Sequence, residues 1–184
     1  MDVEKYINYL AATVLTQNWD GFDKNHFMIY DAKGSQKWFE IPWDLDRTFG
    51  DHWQGSFDEA RLPILLGTRR LPGVTGWSRL EECFFSDSTL RTRFLDRLAE
   101  LLDKEFTTEK LFPFVDRLET QITPDATRDR RVWPGPDPDF HSAIAEVKSF
   151  IKERRNFLRS ELPRLRRERP IPANRQAWRA GSDE

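Results

Sequence analysis

Cysteine is almost absent: the chain of 184 residues has one, Cys83, so no intramolecular disulfide can form and no thiolate cluster exists for zinc. A disulfide-stapled secreted miniprotein is excluded. Long apolar runs are missing as well, since no stretch approaches the roughly 18 residues of a membrane span. Asp2 and Glu4 stand where a signal peptide carries basic residues. The chain reads as soluble and cytoplasmic by default, with no signal peptide visible and with an upstream targeting segment still open if Met1 is not the natural start. Charge of one sign is not in excess either. Lys plus Arg (29) against Asp plus Glu (31) leaves a net charge of -2, no global field for nonspecific nucleic-acid binding. Hydrophobic residues make up 38% and there are 9 glycines, slightly short together of the roughly 45 to 50% of globular domains. That suffices for one core at this length, with some segment left unpacked.

What is present has clear periodicity. Val3, Tyr6, Ile7, Leu10, Ala11, Val14 and Leu15 recur at helical spacing, with Asp2 as N-cap and Glu4 in the first turn. Asn18-Trp19-Asp20-Gly21 ends that helix in a turn. Two aromatic and β-branched runs, 26 to 31 and 38 to 43, flank Gly34-Ser35, a type II′ signal, and predict a β-hairpin. A two-residue turn would set His26 against Trp43, Met28 against Ile41 and Tyr30 against Phe39, leaving one side of the ribbon almost wholly apolar and the other mixed. From about 51 to 78 glycine and proline recur and no element is assigned, although Leu62 to Leu66 suits local packing. Helical spacing returns over 87 to 102. Thr107 or Thr108 then caps a helix through Ile122, with a local distortion at Pro113 unless that proline falls in the first turn, and a last helix runs from about Asp139 to Leu162. The expected fold class is α+β and helix-rich, about four main helices around one hairpin in residues 1 to 162, followed by an Arg/Pro-rich disordered tail over 163 to 184.

The hairpin carries the candidate chemistry. The same register sets Asn25 opposite Asp44, where Cβ atoms lie about 4.5 to 5.5 Å apart, so an amide oxygen and a carboxylate converge on one divalent ion. Asp46 follows two residues on, and Asp20 and Asp23 lie in the entry loop. An oxygen-only donor set favours Mg²⁺ or Mn²⁺ over zinc. Asp20-Gly-Phe-Asp-Lys-Asn25 has the D-x-x-x-x-N spacing of a kinase catalytic loop without its preceding His-Arg. A short hairpin and then an Asp follow, the order of parts in a protein-kinase C-lobe. In that scheme Asp20 orients the acceptor hydroxyl and takes its proton, while Asn25 and Asp44 hold Mg²⁺ against the nucleotide phosphates.

Asn18-Trp19-Asp20, Asn25-His26-Phe27 and Ile41-Pro42-Trp43-Asp44-Leu45-Asp46-Arg47-Thr48-Phe49-Gly50 resemble the spore-coat protein H (CotH) kinase family. The resemblance extends to the first helix and to Val147 through Arg154, covering roughly residues 2 to 162, with Pro-Trp-Asp-Leu-Asp its most specific part. It implies an atypical protein kinase that transfers phosphate from ATP to Ser on proteins, spore-coat proteins among them. Asp20 would be the catalytic Asp, and Asp44 or Asp46 the metal-binding one. It also implies an N-lobe carrying the nucleotide-covering loop and an ATP-contacting Lys. Neither role is assigned to any residue here. The expected function is thus the catalytic-lobe portion of a CotH-like kinase, using Mg²⁺ and ATP on Ser/Thr hydroxyls of protein partners, incomplete without an N-lobe that another chain could supply. Two alternatives stand beside it: a noncatalytic remnant that binds a protein through the face its lost lobe would have covered, and a metal-dependent phosphohydrolase with water as nucleophile.

Structural readings compete at each residue. Asp20 alone suits an Asx turn, and Asp46 could pair with Arg47 or cap the turn that follows. His26 is expected to pack on Trp43, and Trp19, Trp38, Trp43 and Trp53 to serve as core or pocket wall. Cys83, beside Phe84 and Phe85, suits burial as a small hydrophobe. Residues 148 to 169 carry nine basic against three acidic side chains. Such a run is usually a solvated helix face, with docking of an acidic protein or nucleic acid as the alternative.

Overall fold

In the computed structural model the described residues are 1–18, 20–22, 24–50, 59–63, 79–135 and 139–170. They form five α-helices and one ribbon: α1 (Val3–Thr16), β1 (His26–Tyr30), β2 (Trp38–Pro42), α2 (Arg79–Ser86), α3 (Ser88–Lys104), α4 (Thr108–Val132) and α5 (Phe140–Arg167), with short 3₁₀ turns at Asp20–Phe22 and Glu59–Arg61. The helix-rich α+β class follows. Among these residues no helix is long and apolar enough to cross a membrane.

Helix starts agree with their caps. The Asp2, Asp87, Thr107 and Asp139 side chains each accept backbone N–H bonds from the first turn of α1, α3, α4 and α5, satisfying donors that the helix itself leaves open. The apolar stripe of α1 (Tyr6, Ile7, Leu10, Ala11, Val14) packs with Phe94, Leu95, Leu98 and Leu102 of α3 and with Ile151, Leu158 and Leu162 of α5 in one core. α2 is a helix that periodicity over 87 to 102 did not include. It turns Phe84 and Phe85 inward and leaves Cys83 exposed, which corrects the expected burial of that thiol: on so short a helix the two phenylalanines occupy the inward arc.

Two helices run further than expected. α4 continues through Pro124 to Val132, and α5 passes Pro163 to Arg167 instead of ending at Leu162. A helical proline costs about 3 kcal/mol, and tertiary contacts at the end of α5 offset it. Leu165 is buried, and the Arg91 guanidinium donates to the carbonyls of Leu165 (2.5 Å) and Glu168 (3.0 Å). Residues 171 to 184, where most of the expected disordered tail lies, are outside the described residues, as are 51–58 and 64–78 with Trp53, and the single positions Trp19 and Asp23.

The ribbon is paired one residue out of step with the expected register. His26 opposes Pro42, Phe27 opposes Ile41, Met28 opposes Glu40, Ile29 opposes Phe39 and Tyr30 opposes Trp38. The cause is the connection, which is not a two-residue Gly34-Ser35 turn. Asp31 folds its carboxylate over the loop and accepts from the Gly34 and Ser35 amides at 2.9 and 2.8 Å. Gln36 takes a left-handed φ of 53°, and Asp31 N–H closes on Lys37 O. Asp is suited to this local capping, and its bonds hold the Asp31 carboxyl below its ordinary value.

A one-residue slip exchanges the faces of a strand. Phe27, Ile29, Phe39 and Ile41 now share one wholly apolar face, while Glu40 joins His26, Met28, Tyr30 and Trp38 on the other. There the His26 ring meets Tyr9, centroids 6.0 Å apart, and not Trp43, which packs edge-on against Phe27 at 5.7 Å. Burial under the ribbon pushes the Glu40 carboxyl up to about 7 from 4.5. A proton is therefore held more tightly in the fold than in the unfolded chain, and stability falls as pH rises from about 4.5 to 7, with the full penalty above 7. Because the side chain is only half-buried, solvent screening brings that penalty to about 1 to 2 kcal/mol. Glu40→Gln is expected to raise urea-unfolding stability at pH 8 by about 1 kcal/mol and to leave it unchanged near pH 4.5. An equal effect at both pH values would show that Glu40 ionises freely in the fold.

Candidate active site at the base of the ribbon

Three of the four candidate site residues meet where the ribbon leaves the domain. The Asn25 Nδ2 amide donates to Asp20 Oδ2 at 3.1 Å and to Asp44 Oδ2 at 3.3 Å, so one amide bridges two carboxylates. Asp46 stands apart: it is exposed in the next bend, and among the described residues no hydrogen bond or ion pair joins it to the other three.

Each residue is delivered by local structure. α1 ends at Gln17, whose φ of 53° turns the chain out of the helix. Asn18, buried, then starts the 3₁₀ turn carrying Asp20 by accepting the Gly21 amide on Oδ1 at 3.2 Å. The Asp20 carbonyl accepts from both Lys24 N–H and Asn25 N–H at 2.8 Å, which closes the entry loop and sets Asn25 at the head of β1. The Lys24 ammonium lies 3.4 Å from Asp20 Oδ2.

Asp44 arrives by a different route from the one its sequence position suggested. In the observed register Asn25 is opposed by Trp43, whose N–H donates to Asn25 O at 2.9 Å. Asp44 reaches the amide because its own backbone turns left-handed, φ 55°, a conformation Asp accepts more readily than most residues. The convergence therefore survives the slip. Phe49 fastens the strand exit to α1 by donating to Thr16 O at 2.8 Å.

The donor set suits a hard divalent ion. Asp44 and Asn25 offer a carboxylate and an amide oxygen, with the Asp20 carboxylate alongside, and Mg²⁺ commonly takes one or two carboxylates while keeping several waters. Which amide atom of Asn25 faces the acids is set by the hydrogen-bond network, so turning the amide presents its oxygen to an ion. Among the described residues no group of three or more His, Cys, Asp or Glu could hold a metal by itself, and a ligand with its own oxygens would complete the shell.

Sequence reasoning missed two supports of this site. Tyr9 donates its phenol to Gly21 O at 2.6 Å, and fully buried Arg154 donates to Val14 O from Nε (3.1 Å) and Nη2 (2.8 Å), and from Nη1 to Ala60 O (3.1 Å) and Leu62 O (2.6 Å). The signal for Arg154 was its place on the inward stripe of α5 between Ile151 and Leu158. For Tyr9 it was a hydroxyl on the buried side of α1, which needs a partner. The basic run of α5 is largely engaged within the fold. Lys148 pairs with Asp116, Arg159 with Asp103, Arg164 with Glu161 and Glu168, and Arg166 with Asp96.

The chain matches the family model described as CotH kinase protein over residues 1–158. It is 28% identical over 166 residues to the inner spore coat protein H of Bacillus subtilis (strain 168), a match that takes in 88% of this chain and 42% of that protein. The chain thus spans less than half the length of this curated relative. The family match contains α1, the Asp20 turn, the whole ribbon with Asn25 and Asp44, and α5 as far as Leu158, and on that extent the chain belongs to the CotH kinase protein family.

Proposed function

We propose that this chain is the catalytic-lobe portion of a CotH-type protein kinase, resembling the C-lobe of protein kinases, that moves the terminal phosphoryl group of ATP to Ser or Thr hydroxyls of protein substrates with Mg²⁺ or Mn²⁺. The observation that carries this is the Asn25 amide bridging the Asp20 and Asp44 carboxylates at 3.1 and 3.3 Å. Phosphoryl transfer asks a protein mainly for positioning and charge neutralisation, and these three groups supply both. Asp44 and Asn25 would hold the cation, which neutralises phosphate charge. Asp20, whose main chain is fixed by two backbone bonds, accepts the hydroxyl proton. Nucleotide-covering and Lys functions are reserved for a further lobe, in the same protein or on another chain. The test is transfer of labelled phosphate from ATP to a serine-rich protein by the parent, Asp20→Ala and Asp44→Ala; equal labelling by all three would remove these residues from the reaction.

A specific observation also favours a second reading, a noncatalytic protein-binding module. The ribbon exposes apolar side chains on both faces, Phe27, Ile29 and Ile41 on one and Met28, Tyr30 and Trp38 on the other, with Trp43 and Leu45 at its exit, and exposed apolar area of this kind marks an interaction site. Partner binding that survives Asp20→Ala and Asp44→Ala, without phosphate transfer, would support it. The third alternative, a phosphohydrolase using water, would release phosphate from ATP without labelling protein.

A further inference from the structure

We propose that Tyr9, on α1, is a positioning residue for Asp20, acting through the Gly21 carbonyl to hold the turn that presents the carboxylate. This rests on the phosphotransfer reading above for its catalytic consequence, but not for its structural content.

Tyr9 sits one helical turn from Tyr6, is 7% exposed, and donates to Gly21 O over 2.6 Å. Its ring is held independently of that bond, against Tyr6 at 6.5 Å and His26 at 6.0 Å. Burial and the Glu40 charge both raise the phenol above its ordinary value, so it stays a donor throughout the neutral range. The other side of Gly21 is held as firmly. Its N–H reaches Asn18 Oδ1, and a Cβ on Gly21 would lie 2.5 Å from Asn18 Nδ2 and 3.3 Å from Tyr9 Oη. Gly21 is thus clamped on its N–H and C=O by two buried side chains, and Asp20 is the residue directly before it. Next in the chain of bonds, Asp20 O accepts Lys24 and Asn25 N–H. The hydroxyl of a residue that touches no reacting atom therefore orders the backbone of both Asp20 and Asn25. A misplacement of about 1 Å in such a group can cost roughly a hundredfold in rate.

Tyr9→Phe removes the hydroxyl and keeps the ring. Amide hydrogen exchange of the full chain, resolved by residue, is expected to speed up about tenfold or more at Gly21, Lys24 and Asn25, with α3 and α5 amides changing less than about twofold. In the phosphate-transfer assay kcat should fall roughly 10- to 100-fold while KM for ATP moves less than about threefold. Gly21→Ala, which strains the same turn from its other side, should repeat the local exchange pattern. Unchanged exchange at these amides, or an equal rise through α3 and α5, would overturn the proposal, the second by showing that Tyr9 serves the fold as a whole. Faster local exchange with unaltered kcat would overturn it also. No phosphate transfer by the parent when it is completed by the further lobe counts against the phosphotransfer reading, whereas the exchange experiment, which needs this chain alone, still decides whether Tyr9 orders the Asp20 turn.

Discussion

Asp44→Ala is expected to lower metal-dependent phosphoryl transfer by roughly a thousandfold, and Asp20→Ala by roughly 10²- to 10⁴-fold, the span assigned to a general base. The two losses should differ in kind. Removing Asp44 takes away the carboxylate offered to the cation, so the residual transfer should need a higher Mg²⁺ or Mn²⁺ concentration and nucleotide binding should weaken. Removing Asp20 leaves Asn25 and Asp44 in place, so metal-nucleotide binding should persist while the chemical step fails. Asp46→Ala is the informative control, because resemblance left Asp44 and Asp46 open whereas only Asp44 meets Asn25. Its activity should stay within about threefold of the parent, since surface changes away from a site are usually small. A severe loss in Asp46→Ala with a mild one in Asp44→Ala would reverse the assignment. Circular dichroism on each variant separates loss of chemistry from loss of fold.

Arg154→Met is expected to destabilise the domain by about 4 kcal/mol or more, a large part of the roughly 5 to 15 kcal/mol that holds a native domain together. The guanidinium is 0% exposed and satisfies the carbonyls of Val14, Ala60 and Leu62. Methionine fills much of the volume but cannot donate, and each buried carbonyl left without a partner costs about 1 to 3 kcal/mol. Arg154→Lys should recover little, because one ammonium on a flexible stem cannot reproduce a planar fork that reaches three carbonyls on two segments. Urea denaturation measures both. A loss below about 1 kcal/mol would mean that water replaces the guanidinium without penalty. The bonds to Val14 tie α5 to the last turn of α1, directly before the Asp20 turn, so the same substitution should also loosen the site.

Much of the fold was legible because its cues are local. A period of apolar residues and a capping side chain are properties of neighbours in the chain, and Asp2, Thr107 and Asp139 marked helix starts that the structure keeps. The ribbon was legible as two strands for the same reason. Its register was not, since Gly34-Ser35 and the Asp31 cap are both plausible turn chemistry, and the choice depended on a carboxylate closing over the loop. That choice placed Glu40 beneath the ribbon and took Trp43 away from His26.

The candidate site divides along the same line. Asp20, Asn25 and Asp44 were visible from their types and spacing, yet the reason they meet is the left-handed turn at Asp44 and the clamped Gly21, not the cross-strand pairing that spacing suggested. What the amino-acid sequence determined alone was where helices begin, which stripes are apolar and which oxygen-bearing side chains lie near one loop. Only the tertiary structure decided how far α5 runs past Pro163, that Cys83 faces outward, and that Arg154 is buried against a carbonyl 140 positions away. Local preferences are set by adjacent residues, whereas a buried charge or a strand register is set by partners that only packing brings within hydrogen-bond distance.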